Sequence, residues 1–154
     1  MVKNNIITNN SETFLENYLN NPSPTGFESE GQKIWLDYIK PYIDDYFVDT
    51  YGTTVGVINP EADYKVVIEA HADEISWFVH YINPKGYIYL RRNGGSDHQI
   101  APSKRVVIHT KKGPVTGVFG WPAIHTRKPG KEEAPQVKNI FLDIGAKDAK
   151  EVEK

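Results

Sequence analysis

"VVIEAHADEIS", residues 66–76, decides how this chain is read. Val66, Val67 and Ile68 form an apolar run without alternation, the pattern of a central strand covered on both faces. The run leads not into a turn-forming glycine or asparagine but into His71-Ala72-Asp73-Glu74, three polar side chains in four positions. In open α/β sheets, sites gather at the carboxyl ends of strands, where the connecting loops leave a crevice. A neutral imidazole at such an end is a good zinc or cobalt ligand, and a metal-bound histidine usually gives its other N–H to a carboxylate. Asp73 is near enough in sequence to be that carboxylate. Taken alone, H-x-D recurs by chance, and a partly buried histidine beside two solvated acids has the same spelling.

Upstream of this stretch the periodicity predicts helices, then strands. In "SETFLENYLN" (11–20), Phe14, Leu15, Tyr18 and Leu19 share one helical face, with Ser11 as N-cap. "NPSPTGF" breaks that helix, and Thr25 and Glu28 have capping-box spacing for a second one that buries Phe27, Ile34, Trp35, Tyr38 and Ile39. Three strands follow, at 46–50, 54–58 and 65–70, with turns at Gly52 and Asn59-Pro60. Helices followed by such strands predict an α/β sheet with helices packed on it.

Downstream the style changes. Segments 76–82, 86–92, 104–109, 114–120 and 139–145 read as short strands punctuated by Asn83-Pro84-Lys85-Gly86, Gly94-Gly95 and Lys112-Gly113-Pro114. Their close spacing, without intervening helices, predicts a small antiparallel β-barrel. Residues 126–138 read as a charged, mobile loop, and "KDAKEVEK" as a short closing helix. The expected organisation is therefore an α/β part over residues 1–73 and a β-rich module over 74–154, with His71 and Asp73 at the seam.

Composition narrows the function classes. A net charge of −2 with dispersed Lys and Arg leaves no electrostatic footprint for nucleic acid. No apolar run is long enough to span a bilayer, and residues 1–5 lack the apolar stretch of a secretion signal, so the cytoplasm is the expected location. The absence of cysteine excludes disulfides and thiolate ligands, leaving His, Asp and Glu as metal ligands.

Six stretches occur together in a recognisable order: "SPTGFE", "DTYGTTVGVI", "AHADEISWFV", "GYIYLRRNGGSD", "KRVVIHTKKGPVTGVFG" and "IFLDIGAKDAKE". In this order they resemble the N-terminal part of the M42 metalloaminopeptidases, over nearly all of residues 20–154. The resemblance implies a zinc-peptidase-like α/β domain (two helices and three strands here) interrupted by an inserted β-barrel dimerisation domain. It implies that His71 is the first ligand of a two-metal centre, zinc or cobalt, and that Asp73 orients the imidazole. It further implies peptide substrates, release of N-terminal residues by a two-metal-activated water, and homo-oligomers built through the β-barrel. His125 is a carry-over for a site or subunit contact, although "WPAIHTRKPGKEE" departs from the family's proline-proline-histidine pattern. Thr53 likewise stands where the family usually has asparagine.

The family's bridging aspartate, general base and last metal ligands have no counterpart in this chain, so only one ligand of the two-metal site is expected here and the isolated chain is expected to be inactive. Glu74, adjacent to Asp73, points to the opposite side in an extended chain and suits an orienting or structural role better than that of a base. His80 and His109 fit surface positions on strands, and His98 in "NGGSDHQ" fits a turn. The alternative function is a non-catalytic β-barrel oligomerisation or binding module. Glycoside hydrolysis ranks last, because no pair of acids has a context that argues for it.

Overall fold

The computed structural model describes residues 7–130 and 133–153. The N-terminal stretch 1–5, Lys131 and Glu132 of the charged loop, and Lys154 of the closing helix lie outside the described residues. The chain forms two compact units, one ending at Glu74 and the other beginning at Ile75.

The first unit starts with α1 (Asn9–Asn20). Its N-cap is Thr8 rather than the expected Ser11. The Thr8 hydroxyl accepts from the Ser11 N–H at 3.2 Å, while Ser11 Oγ accepts from the Thr8 N–H at 2.8 Å. Ser11 thus plays the returning partner of a capping box, a part more often taken by Glu or Gln. Helix α2 (Ser29–Ile39) has Glu28 as N-cap and no side-chain capping bond, so the Thr25 hydroxyl is not where a capping box would put it. Phe14 of α1 stacks on Tyr38 of α2, with centroids 4.0 Å apart and planes within 12°. Phe27, expected inside, is 67% exposed, because it precedes the helix and does not share its apolar face.

A short 3-10 turn (Lys40–Tyr42) containing Pro41 ends α2 and leads into the hairpin β1 (Asp45–Val48) and β2 (Thr54–Val57), paired antiparallel from Asp45↔Val57 to Val48↔Thr54. Gly56 on β2 lets the end of α2 approach: a Cβ there would lie 2.7 Å from Ile39 Cδ1. The hairpin turn is built on Asp49, whose Oδ1 accepts from the N–H groups of Tyr51 and Thr53, each at 2.8 Å. The Thr53 N–H is the largest influence holding the Asp49 carboxyl below the ordinary aspartate range. A carboxyl lowered by folding stabilises the fold above its ordinary range, and that contribution is lost as pH falls through the lowered value. Protection of the Tyr51 and Thr53 amides, their exchange measured against that of an unfolded chain at the same pH, should therefore fall on acidification through that window. Protection that stays constant would remove the Asp49 carboxylate from the turn.

The third strand expected at 65–70 belongs to no sheet. Val66, Val67 and Ile68 are 74%, 83% and 94% exposed. The apolar run that spells a doubly covered strand has neither cover nor ladder among the described residues. Among the described residues the β1–β2 sheet has those two strands, and a strand without a neighbour leaves its N–H and C=O groups to water. Among the described residues, none of the buried apolar residues of the chain's core lies in this unit.

The second unit holds that core. Its strands are β3 (Ser76–Ile82), β4 (Ile88–Asn93), β5 (Arg105–Thr110), β6 (Gly113–Gly120) and β7 (Phe141–Asp143). They form one antiparallel sheet in the order β3-β4-β7-β6-β5. Alternate residues Ile88 and Leu90 of β4, with Ile140 and Leu142 at β7, Phe119 of β6 and Ala101, make the buried cluster, as the period of two requires. The opposite face carries Tyr81 stacked on Tyr89 at 4.6 Å and Phe141 near Tyr89 at 6.2 Å. Gly120 sits opposite Phe141 in register, and the Phe141 ring occupies the space a Cβ would take.

The barrel expected for this module is an open sheet: no ladder joins β3 to β5 among the described residues. Five strands, with the central β7 only three residues long, give partial rather than full closure. The closing helix α3 (Ala149–Val152) is capped by Asp148, which accepts from the Glu151 N–H at 2.9 Å. In the loop before β7, Arg127 lies over Trp121 and donates from Nε to the Pro122 carbonyl at 2.9 Å. Among the described residues no helix is long and apolar enough to cross a membrane.

Candidate metal centre

Residues 71–74 end the first unit, and the loop 23–25 between its helices comes to meet them. The backbone joins first: the Glu74 N–H donates to the Ser23 carbonyl at 2.8 Å, and Pro24 and Glu74 form an isolated parallel bridge. The Glu74 side chain completes the join by accepting the Ser23 N–H at Oε1, also at 2.8 Å. Ser23 is buried at the contact and Gly31 of α2 packs against it, with room for no larger residue. Glu74 is thereby engaged with the loop backbone.

On this join Asp73 uses both carboxylate oxygens. Oδ2 accepts from the Thr25 hydroxyl at 2.7 Å, and Oδ1 lies 2.7 Å from His71 Nδ1. The Thr25 hydroxyl first, and the His71 ring second, hold the Asp73 carboxyl below the ordinary aspartate range. Near neutral pH it is therefore ionised and can only accept, which places the proton of a neutral His71 on Nδ1. Nε2 then carries the lone pair. The His71 side chain is 93% exposed while Asp73 is 27% exposed, so the ring projects from a half-buried carboxylate.

This is the donor chemistry of a metal-bound histidine with its orienting carboxylate. His71 Nε2 fits one coordination position of a divalent cation. Among the described residues no group of three or more His, Cys, Asp or Glu side chains is placed to hold a metal, so the remaining ligands have no counterpart there. His125 lies in a 3-10 turn (Ile124–Thr126) of the second unit and is exposed. Asp97 caps its own 3-10 turn by accepting the Gln99 N–H at 2.9 Å, so it is engaged locally rather than paired with His98. His80 and His109 occupy exposed positions on β3 and β5, His80 meeting the edge of Tyr81. Thr25 was not legible as a site residue. Its spacing to Glu28 spells a helix cap, and nothing local signals a partner 48 positions away.

Residues 52–154 match the M42 glutamyl aminopeptidase family. FrvX of Escherichia coli (strain K12), a protein named as an aminopeptidase, is 30% identical over 132 residues, which cover 84% of this chain and 37% of FrvX. The TET aminopeptidase from the marine sediment archaeon Thaumarchaeota archaeon SCGC AB-539-E09 superposes with a TM-score of 0.86 at 28% identity, over 92% of this chain and 40% of that one. The TET1 peptidase of Pyrococcus horikoshii, described as able to assemble into a tetrahedron or a large octahedral shell, gives 0.75 at 26% identity, over 92% and 42%. The chain spans between 30% and 37% of the length of the relatives it matches.

Proposed function

The chain belongs to the M42 glutamyl aminopeptidase family, and from that premise we propose that it supplies the first metal ligand of an aminopeptidase centre together with an assembly module. His71 is the ligand, through Nε2, and Asp73 is its orienting carboxylate. The observation that carries this reading is the 2.7 Å contact of His71 Nδ1 with a carboxylate whose other oxygen is already engaged. Two divalent cations, zinc or cobalt, supply activation of water and polarisation of the scissile carbonyl when bound. The chain's own residues do the rest of what is visible here. Asp73 keeps the proton on Nδ1, Glu74 ties the ligand loop to residue 23, and the exposed ring presents Nε2 outward.

The substrates in this reading are peptides with a free N-terminus, and the compartment is the cytoplasm. One histidine does not hold two cations, so the 154-residue chain by itself is inactive. Residues 74–154 serve as the inserted module through which copies pair into homo-oligomers. That part is supported by a core of its own and by exposed apolar residues on the free edge strand β3, where Phe78, Val79 and Tyr81 are 50%, 51% and 49% exposed. A purely non-catalytic binding module is the second reading, favoured by the absence of converging ligands among the described residues.

Purification from the natural source, followed by intact mass, metal content and hydrolysis of free against N-acetylated peptides, separates the two. The aminopeptidase reading expects hydrolysis of free peptides by a species heavier than 17.5 kDa per chain, or by a complex, carrying about two metals per His71. A metal-free preparation without peptide hydrolysis would leave the binding module standing.

A further inference from the structure

We propose that Thr25 is a positioning residue for the metal ligand: its hydroxyl locks the Asp73 carboxylate, and through it the tautomer and ring plane of His71. The inference rests on the reading of His71 as a ligand, and it concerns what makes that ligand selective. At 93% exposure the His71 ring has almost no packing to orient it, so its direction comes from the single hydrogen bond at Nδ1. That bond orients the ring only if the carboxylate is itself fixed. Asp73 is fixed from its far oxygen, by the Thr25 Oγ1 donor at 2.7 Å.

Three contacts in turn hold the loop that presents Thr25. The Glu74 carboxylate takes the Ser23 N–H, the Ser23 carbonyl takes the Glu74 N–H, and the Gly26 N–H donates to Glu28 Oε1 at 2.7 Å. Gly26, at φ +91°, turns the chain there, in a region that favours glycine. Helix α2 has its N-cap at Glu28, three positions further on, so the Thr25 hydroxyl is out of place to cap it and donates to the Asp73 carboxylate. A purely structural tie would be met by the Ser23 and Glu74 contacts already present.

The test compares Thr25→Val, which removes the hydroxyl at nearly constant volume, with Thr25→Ser, which keeps it, in the full chain. Long-range proton–nitrogen spectra of His71, taken well above the imidazole range, report the neutral tautomer directly. The parent chain and Thr25→Ser should be dominated by the Nδ1–H form, and Thr25→Val should move towards the mixture of a free imidazole. Cobalt(II) alone, followed by broadening of His71, should bind Thr25→Val roughly 3- to 10-fold more weakly, less than the 10- to 100-fold typical of removing an orienting carboxylate.

The Glu74 amide serves as the fold control. If valine disturbs it, Thr25→Ala is the second variant. A folded variant without the hydroxyl that keeps the parent tautomer overturns the role of Thr25, even where cobalt still binds at His71. Cobalt that ignores His71 in every variant overturns the ligand reading instead, while the tautomer still decides whether Thr25 positions the ring.

Discussion

His71→Ala should abolish the preferred cation site of the chain. In a cobalt(II) or zinc(II) titration of the parent protein, the first resonances to respond should be those of His71, followed by the amides of Asp73 and Glu74, which adjoin it. In the variant that early phase should vanish, leaving only the weak response of the exposed imidazoles of His80, His109 and His125. Losing an orienting partner of a metal ligand costs about 10- to 100-fold in affinity, and losing the ligand itself should exceed that range. The reason for expecting selectivity among five histidines is geometric. His71 has a carboxylate on Nδ1 at 2.7 Å, the one histidine–carboxylate pair recorded among the described residues. Light scattering should meanwhile give the same mass for variant and parent, since residue 71 lies outside the unit that contains the core. An identical metal response in the two proteins would remove His71 from the centre.

The second large effect is expected at Ile140→Ala. Ile140 is 1% exposed, the most deeply buried large side chain described, and packs with Ile88, Leu90, Phe119 and Leu142. Truncating a buried isoleucine to alanine typically costs about 2–5 kcal/mol, through lost transfer energy and the cavity left behind. Domains are stable by only about 5–15 kcal/mol, so this is a large fraction of the total. For a unit of this size each kcal/mol lowers Tm by roughly 4–8 °C, which puts the expected drop at about 10 °C or more. Thermal melting followed by near-ultraviolet circular dichroism, sensitive to Trp77 against Phe119 at 5.2 Å, reads the change. A shift of only a degree or two would mean that this cluster is not what holds the sheet.

The strands of the second unit were the most legible part of the fold. The apolar runs of β3 to β6 are short, bounded by Asn, Gly or Pro, and each has a partner a hairpin away, so local pattern and pairing agree, as with β5 and β6 joined at Gly113. The pairing of β7 between β4 and β6 was not legible, because a three-residue strand carries no period of its own. In the first unit the helices were placed within a few residues. The cap of α1 was misread because Ser11, itself a common N-cap residue, stands at the third helical position and returns the bond to Thr8, and that of α2 because it has no side-chain cap. Residues 66–68 show the opposite limit: the run spells a covered strand, yet a strand is a relation between segments, and no described segment pairs with it.

The site itself divides in the same way. His71 and Asp73 are two positions apart, so spacing made their contact a candidate, and the ordered motifs around them, rather than H-x-D alone, favoured it. Thr25 and Ser23 reach them from across the unit, and the hydroxyl-bearing motif had a competing local explanation as a helix cap.

The bonds from Ser23 to Glu74 and from Thr25 to Asp73 span 51 and 48 positions, and that span places the proposed ligand in time as well as in space. Helices α1 and α2 and the β1–β2 hairpin need only nearby residues, whereas closing a loop this long must wait until residue 74 has been made and brought back. Before closure His71 is an imidazole on a loose chain, able to meet a cation through either nitrogen and in any direction. After closure one nitrogen is taken and the other points outward. In the proposed reading, discrimination at this histidine is thus acquired by the finished fold, and a cation arriving during synthesis would meet a different ligand from one arriving after it.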